Sequence, residues 1–217
     1  MQNYTHIIWD WNGTLFNDVE RCMKTINKML AKRGIKLLKS IEEYRSAFCF
    51  PIIKYYKSLG FNFEKEPFEE LAKEFIALYH SDKTGNCRLH EGTEIAFDAI
   101  KKAGIKQVIL SASEKGNLLS QIREFDIEHY FDEIIGLSDV YAKSKIDAGL
   151  DYMLKNKVES ALLIGDTEHD YEAALALKAD CVLIAGGHQD RGRLQKCGVP
   201  VFDDIFNILS YLNGAAV

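Results

Sequence analysis

Short apolar runs rich in β-branched residues recur along this chain, each closed by small or polar residues and most separated by amphipathic stretches. The runs lie at 5–10, 105–110, 133–137, 161–165 and 181–185, and amphipathic segments at 116–125, 146–155 and 171–178 separate the later ones. An unbroken apolar run of this length suits a strand buried on both faces, and an amphipathic stretch between two such runs suits a helical crossover. The alternation predicts an α/β fold: a Rossmann-like, doubly wound parallel sheet with 5–10 as its central first strand. In such a sheet the strand ends converge on one edge, so the polar residues that close the runs are the candidates for chemistry.

The stretch from 17 to 86 breaks this rhythm. It carries helical patterns at 18–33, 41–48, 52–59 and 67–80 and no convincing strand. This predicts an inserted all-helical cap domain over 17–86, with a core domain made of 1–16 and 87–217. Two connections between insert and core favour a hinge over a free tether. A chain of 217 residues that is 47% hydrophobic can bury one good core and a smaller satellite. The net charge of −5 argues against a nucleic-acid binder. The insert is nevertheless locally basic, which suits either a solvated helical surface or a face turned to an anionic substrate. No apolar stretch approaches the roughly 20 residues of a membrane span, and no targeting segment is visible, so a cytoplasmic, membrane-free protein is expected. Five scattered cysteines, none in Cys-x-x-Cys spacing, disfavour a disulfide framework and a zinc knuckle. Oligomeric state is not legible in the sequence.

At the strand ends the residue types become specific. The run Ile7-Ile8-Trp9 leads into Asp10-Trp11-Asn12-Gly13-Thr14-Leu15. An ionised carboxylate at a sheet edge needs a cation or a reaction, Gly13 permits a sharp turn, and Thr14 supplies a hydroxyl. That is the layout of a nucleophile on a strand-end loop; an Asp that merely capped the next helix would not call for the Gly-Thr pair. The second run ends in Ser111-Ala112-Ser113, where a small hydroxyl can donate to an anionic oxygen or serve a turn. Lys145, with Lys143 as its rival, directly precedes a helical pattern. The fourth run enters Gly165-Asp166-Thr167-Glu168-His169-Asp170, with two carboxylates four residues apart at a strand-to-helix turn. Such a cluster repels itself unless a hard cation such as Mg²⁺ is bound, although acids also suit a helix N-terminus. His169 reads as a surface residue, and His188-Gln189 as a turn before a site.

In this order and spacing, Asp10-Trp11-Asn12-Gly13-Thr14, Ser111, Lys145 and Gly165-Asp166 with Asp170 resemble the motifs of the haloacid dehalogenase superfamily of phosphohydrolases. The chain looks most like the phosphoglycolate phosphatase and β-phosphoglucomutase branch, which carries a helical cap. The resemblance implies that Asp10 attacks phosphorus to form an aspartyl-phosphate. It also implies Mg²⁺ held by Asp10, the Asn12 backbone carbonyl and Asp166, with Asp170 close by or acting through water. Thr14, Lys145 and Ser111, with its neighbour Ala112, would hold phosphoryl oxygens. Substrate choice in such enzymes falls to the cap, here the stretch 48–56; Lys54 and the basic cap suggest a small anionic phosphate ester, such as phosphoglycolate or a sugar phosphate.

One position departs from the pattern. Related phosphatases carry Asp two residues after the nucleophile, as the acid and base of the reaction, whereas this chain has Asn12. An amide keeps the shape but cannot shuttle a proton, and general acid–base help is worth about 10² to 10⁴ in rate. The consequence is a slow phosphatase or one suited to good leaving groups, a substitute acid such as Glu114 or His169, or a non-catalytic phosphate-binding or regulatory protein. Haloacid dehalogenation needs no metal and would leave Asp166 and Asp170 without a purpose. Exchange of Asn12 for Asp is expected to speed alkyl phosphates more than aryl ones.

Overall fold

The computed structural model describes residues 4–81, 87–137 and 144–214. The chain begins with β1 (His6–Trp9) and β2 (Phe16–Asn17), followed by helices α1 (Val19–Lys32), α2 (Ile41–Ala47), α3 (Ile52–Leu59) and α4 (Phe68–Ser81). It continues through β3 (Arg88–Leu89), α5 (Thr93–Lys102), β4 (Lys106–Glu114), α6 (Lys115–Glu124), β5 (Glu133–Leu137) and α7 (Lys145–Asn156). The last part comprises β6 (Ala161–Gly165), α8 (Glu168–Leu177), β7 (Asp180–Ile184), α9 (Arg191–Leu194), β8 (Val201–Phe202) and α10 (Ile205–Leu212).

Six strands form one parallel sheet in the order β5-β4-β1-β6-β7-β8. β1 is central, with Ile8 opposite Val108 on one side and Leu163 on the other. From β1 the chain builds outward through β4 and β5, then crosses to β6 and builds the other way. The strand order therefore reverses between β1 and β6, and the crevice beyond their C-terminal ends is where ligands bind in open α/β sheets. Alternate residues of each strand enter different cores. Ile7, Trp9, Ile109, Leu162 and Ile164 pack with Phe97, Leu118 and Ile205, while Ile8, Leu110, Leu163 and Leu183 pack with Ala173, Leu177 and Leu194. Both faces are thus apolar, which is why these strands read as unbroken runs rather than as alternating patterns.

The insertion between β1 and β4 has its own hydrophobic cluster. Val19, Cys22, Ile26, Met29 and Leu30 form one stripe of α1, and they pack with Tyr44, Tyr55, Tyr56 and Leu71 from the three following helices. The chain leaves the core through β2 and returns through β3, which pair antiparallel with Phe16 opposite Leu89. Two-residue strands carry no periodicity, so the sequence gives no sign of this clasp. A second difference concerns β4, which runs on to Glu114 so that Ser111, Ala112 and Ser113 lie within the strand. Its pairing with β5 resumes at Glu114 and Leu137 after an irregularity. No helix among the described residues is long and apolar enough to cross a membrane.

Candidate active site

Asp10 stands at the crevice, its N–H still bonded to the Ile164 carbonyl at 2.8 Å as a continuation of the sheet ladder. One of its carboxylate oxygens accepts from Lys145 Nζ at 2.5 Å and the other from the Thr14 hydroxyl at 3.1 Å. The same hydroxyl lies 3.1 Å from Asp166 Oδ1, across the switch point. Gly13 is indispensable to this approach: its φ is +83°, and a Cβ there would meet Asp166 Oδ2 at 2.3 Å.

Lys145 is the first residue of α7, whose start is fixed by a capping box between Ser144 and Asp147. Its ammonium is 3% exposed and lies 2.5 Å from both Asp10 and Asp170. The other oxygen of Asp170 accepts from the Asp166 N–H, the Thr167 N–H and the Thr167 hydroxyl at 3.2, 3.0 and 2.7 Å. Asp170 therefore holds the lysine and the strand-to-helix turn with both oxygens.

Oxygens of Asp10, Asp166 and Asp170 lie within 4.8 Å of one another, and all three residues are buried. Burial pushes the Asp10 carboxyl up, partly countered by Lys145 and reinforced by Asp170. Burial likewise raises Asp166; the charges of Asp10 and Asp170 add to the rise, with His188 as the partial offset. At Asp170 burial is outweighed by Lys145 and Thr167, which keep it ionised below the usual range. Burial lowers Lys145, but its two carboxylates more than restore it, so it stays charged. One buried ammonium among three buried carboxylates leaves the cluster short of positive charge. Hard oxygen donors in that state fit a divalent cation such as Mg²⁺, for which Asp10, Asp166 and Asp170 are the candidate ligands that the structure brings together.

Asn12 is fixed at both ends of its amide. Its Nδ2 donates to Asp18 Oδ2 at 2.8 Å, and its Oδ1 accepts from the Ser113 hydroxyl at 2.7 Å. Asp18, just before α1, is 2% exposed. Its Oδ2 also accepts from the Tyr79 hydroxyl at 2.7 Å and the Cys22 thiol at 3.4 Å, and its Oδ1 faces His188 Nε2 at 3.2 Å. The other ring nitrogen of His188 is 2.9 Å from the Tyr44 hydroxyl, and its backbone N–H donates to Asp166 Oδ2 at 2.6 Å. Burial lowers the imidazole, yet Asp18 and the site carboxylates outweigh it and hold His188 up at about 9, so it is an imidazolium at neutral pH. Burial raises Asp18, but His188, Tyr79 and Asn12 together keep it below the usual carboxylate range. His188 is thus a buried neighbour of the site rather than a plain turn residue. Nothing in the sequence joins Asp18 to a histidine 170 positions away.

The remaining candidates are dispersed. Ser111 is buried at the sheet edge and its hydroxyl oxygen accepts from the Ser113 N–H at 3.1 Å, while Ala112 is exposed. Lys54 is exposed on α3 and is not among the side chains gathered at Asp10. Lys143 lies outside the described residues. Glu114 caps α6, accepting from the N–H groups of Gly116 and Asn117 at 2.8 Å, so both its oxygens are engaged away from Asp10. His169 is partly buried against the Phe50 ring, 4.8 Å between centroids.

Cap residues close over this region. Arg45 of α2 donates to the Gly187 and Gly186 carbonyls at 2.8 and 2.7 Å, and Arg193 of α9 donates back to the Phe48 carbonyl at 2.9 Å. The Phe48 ring lies 5.1 Å from His188. Among the aromatics of 48–56, Tyr55 and Tyr56 belong to the cap's own core, Phe50 contacts the core-domain His169, and Phe48 bridges the two, packing against the cap cluster and against His188.

Known proteins show the same architecture. A haloacid dehalogenase-like family hydrolase from Streptococcus pneumoniae superposes with a TM-score of 0.82 at 17% identity, covering 98% of this chain and 100% of that one. A structure of protein tyrosine kinase A (PtkA) from Mycobacterium tuberculosis gives 0.80 at 21% identity, covering 99% and 100%. By sequence, tyrosine-protein kinase PtkA of Mycobacterium tuberculosis is 27% identical over 126 residues, which is 55% of this chain and 43% of the relative. The match thus spans less than half the length of that relative. A family profile described as haloacid dehalogenase-like hydrolase matches residues 7–184, so the chain belongs to the haloacid dehalogenase-like hydrolases.

Proposed function

We propose that this chain is a Mg²⁺-dependent cytoplasmic phosphohydrolase that acts on a small phosphate monoester, of the phosphoglycolate or sugar phosphate kind, with Asp10 as nucleophile. The observation that carries this reading is the seating of a buried carboxylate between Lys145 and Thr14 at the sheet's switch point, with Asp166 across from it. Asp10 would form a bond to phosphorus while the substrate's ester oxygen leaves; water would then release phosphate and regenerate the carboxylate. Two anions must meet for this to happen. Lys145, Thr14 and Ser111 would hold the phosphoryl oxygens, and Mg²⁺ would supply the remaining positive charge. Asn12 offers no proton to the leaving oxygen, which favours esters whose leaving group needs none.

The expected result is Mg²⁺-dependent release of p-nitrophenolate from p-nitrophenyl phosphate, reduced by about 10²-fold or more in Asp10→Ala. No turnover above that variant sinks the reading. A second reading, transfer to an acceptor other than water, is favoured by the engagement of both ends of the Asn12 amide and by the likeness to a protein named as a tyrosine kinase. It predicts more p-nitrophenolate than inorganic phosphate when a phenolic acceptor is added; equal yields exclude it.

A further inference from the structure

The side chain at position 12 lies between two partners of opposite hydrogen-bonding sense. The Ser113 hydroxyl donates to its oxygen at 2.7 Å, and Asp18 Oδ2 accepts from its nitrogen at 2.8 Å. The Asp18 carboxyl group already accepts from the Tyr79 hydroxyl and the Cys22 thiol through the same oxygen, and its other oxygen faces His188 Nε2. A carboxylate can only accept, so the atom of residue 12 that meets it must be a donor. An Asp at position 12, itself partly buried, would set a second carboxylate oxygen against Asp18, which is 2% exposed, so that the two like charges would meet with little solvent around one of them.

We propose that Asn12 and Asp18 are a matched donor–acceptor pair, in which Asp18 is the positioning residue that makes an amide at position 12 a requirement of this chain. The missing acid is then a compensated feature of the site and not a lesion. The pairing predicts instead that Asn12→Asp alone does not speed alkyl phosphates. Reversing the pair should preserve it: Asp18→Asn supplies the donor, Asn12→Asp the acceptor, and the Tyr79 hydroxyl can turn to accept from the new amide.

The inference rests on the phosphohydrolase reading for its kinetic readout alone; its thermal readout is independent. Wild type, Asn12→Asp, Asp18→Asn and the double variant are melted without Mg²⁺ and assayed on p-nitrophenyl phosphate and an alkyl phosphate. Each single variant should lower the melting temperature by several degrees, and the double should lose clearly less than the two losses added together. Only the double should show a higher alkyl-to-aryl kcat ratio, by about tenfold or more. Asn12→Ala, which removes the donor without adding charge, should melt above Asn12→Asp, and this holds as a test even where Asn12→Asp does not fold. Additive melting shifts, or Asn12→Ala melting no higher than Asn12→Asp, overturn the pairing. An unchanged kcat ratio in a double variant that turns over the aryl ester overturns the positioning role. Absence of turnover in all four proteins removes the phosphohydrolase reading and leaves the melting cycle to decide the pair.

Discussion

Lys145 answers two carboxylates at once, since its ammonium lies 2.5 Å from both Asp10 and Asp170 and is buried with them. Removing one partner from a buried ion pair costs about 3–5 kcal/mol, because the charge left behind keeps its burial and loses its partner. Lys145→Met should therefore lower kcat on p-nitrophenyl phosphate by about 10²-fold or more and also lower the melting temperature. The thermal loss has a pH sign. Without the ammonium, the Asp10 carboxyl rises further and Asp170 loses the charge that holds it below the usual range, so the folded variant binds protons more readily than the folded wild type. The deficit should be small near pH 4 and grow towards pH 8. Retained kcat and KM would move the phosphate contact to another group, with Lys143 the first to test. Asp10, Asp166 and Asp170 were legible because each closes or follows an apolar run and a parallel sheet brings such ends together, and Lys145 because it directly precedes a helical pattern. Asp18 and His188 were not, because the bond between them depends on cap and core meeting. No local pattern encodes that meeting.

At the level of elements, helical periodicity was enough to place the four cap helices, because each presents an apolar stripe to one cluster. The sequence was less informative at junctions. Ser111-Ala112-Ser113 reads as the end of the second strand, and β4 runs one residue past it, pairing Glu114 with Leu137. The β2–β3 clasp is too short to leave a pattern. Between cap and core, α2 makes a direct polar contact. Arg45 donates two hydrogen bonds to the carbonyls of Gly186 and Gly187, next to the His188 N–H that holds Asp166. Cap and core have separate hydrophobic clusters, so loosening α2 should weaken closure more than folding. Arg45→Ala is expected to raise KM for p-nitrophenyl phosphate about tenfold, while the melting temperature moves by no more than a few degrees. A large drop in melting temperature with KM unchanged would make Arg45 a structural tie and remove it from closure.

For the molecule as a whole, the candidate site is set against the stability of the fold. Asp10 and Asp166 sit on a sheet whose two faces are closed by apolar cores, and burial raises both carboxyls. A carboxyl whose folded value lies above its unfolded one stabilises the protein fully only below the ordinary carboxylate range. That contribution is lost as pH rises through the elevated folded value. Metal-free protein should accordingly melt lower at pH 8 than at pH 5. A cation bound only to the folded state adds RT ln(1 + [L]/Kd), about 2.7 kcal/mol at a hundredfold excess over Kd. Mg²⁺ should thus raise the melting temperature by several degrees at pH 8 and by less at pH 5. Asp166→Asn separates the two sides of this balance. The new amide's oxygen can keep the His188 N–H and its nitrogen can donate to the Thr14 hydroxyl, so packing survives while one buried negative charge is gone. The variant should melt above wild type without metal at pH 8, show little response to Mg²⁺ and lose turnover. If it melts below wild type and still responds to Mg²⁺ in full, Asp166 is a structural acceptor and the cation is held elsewhere.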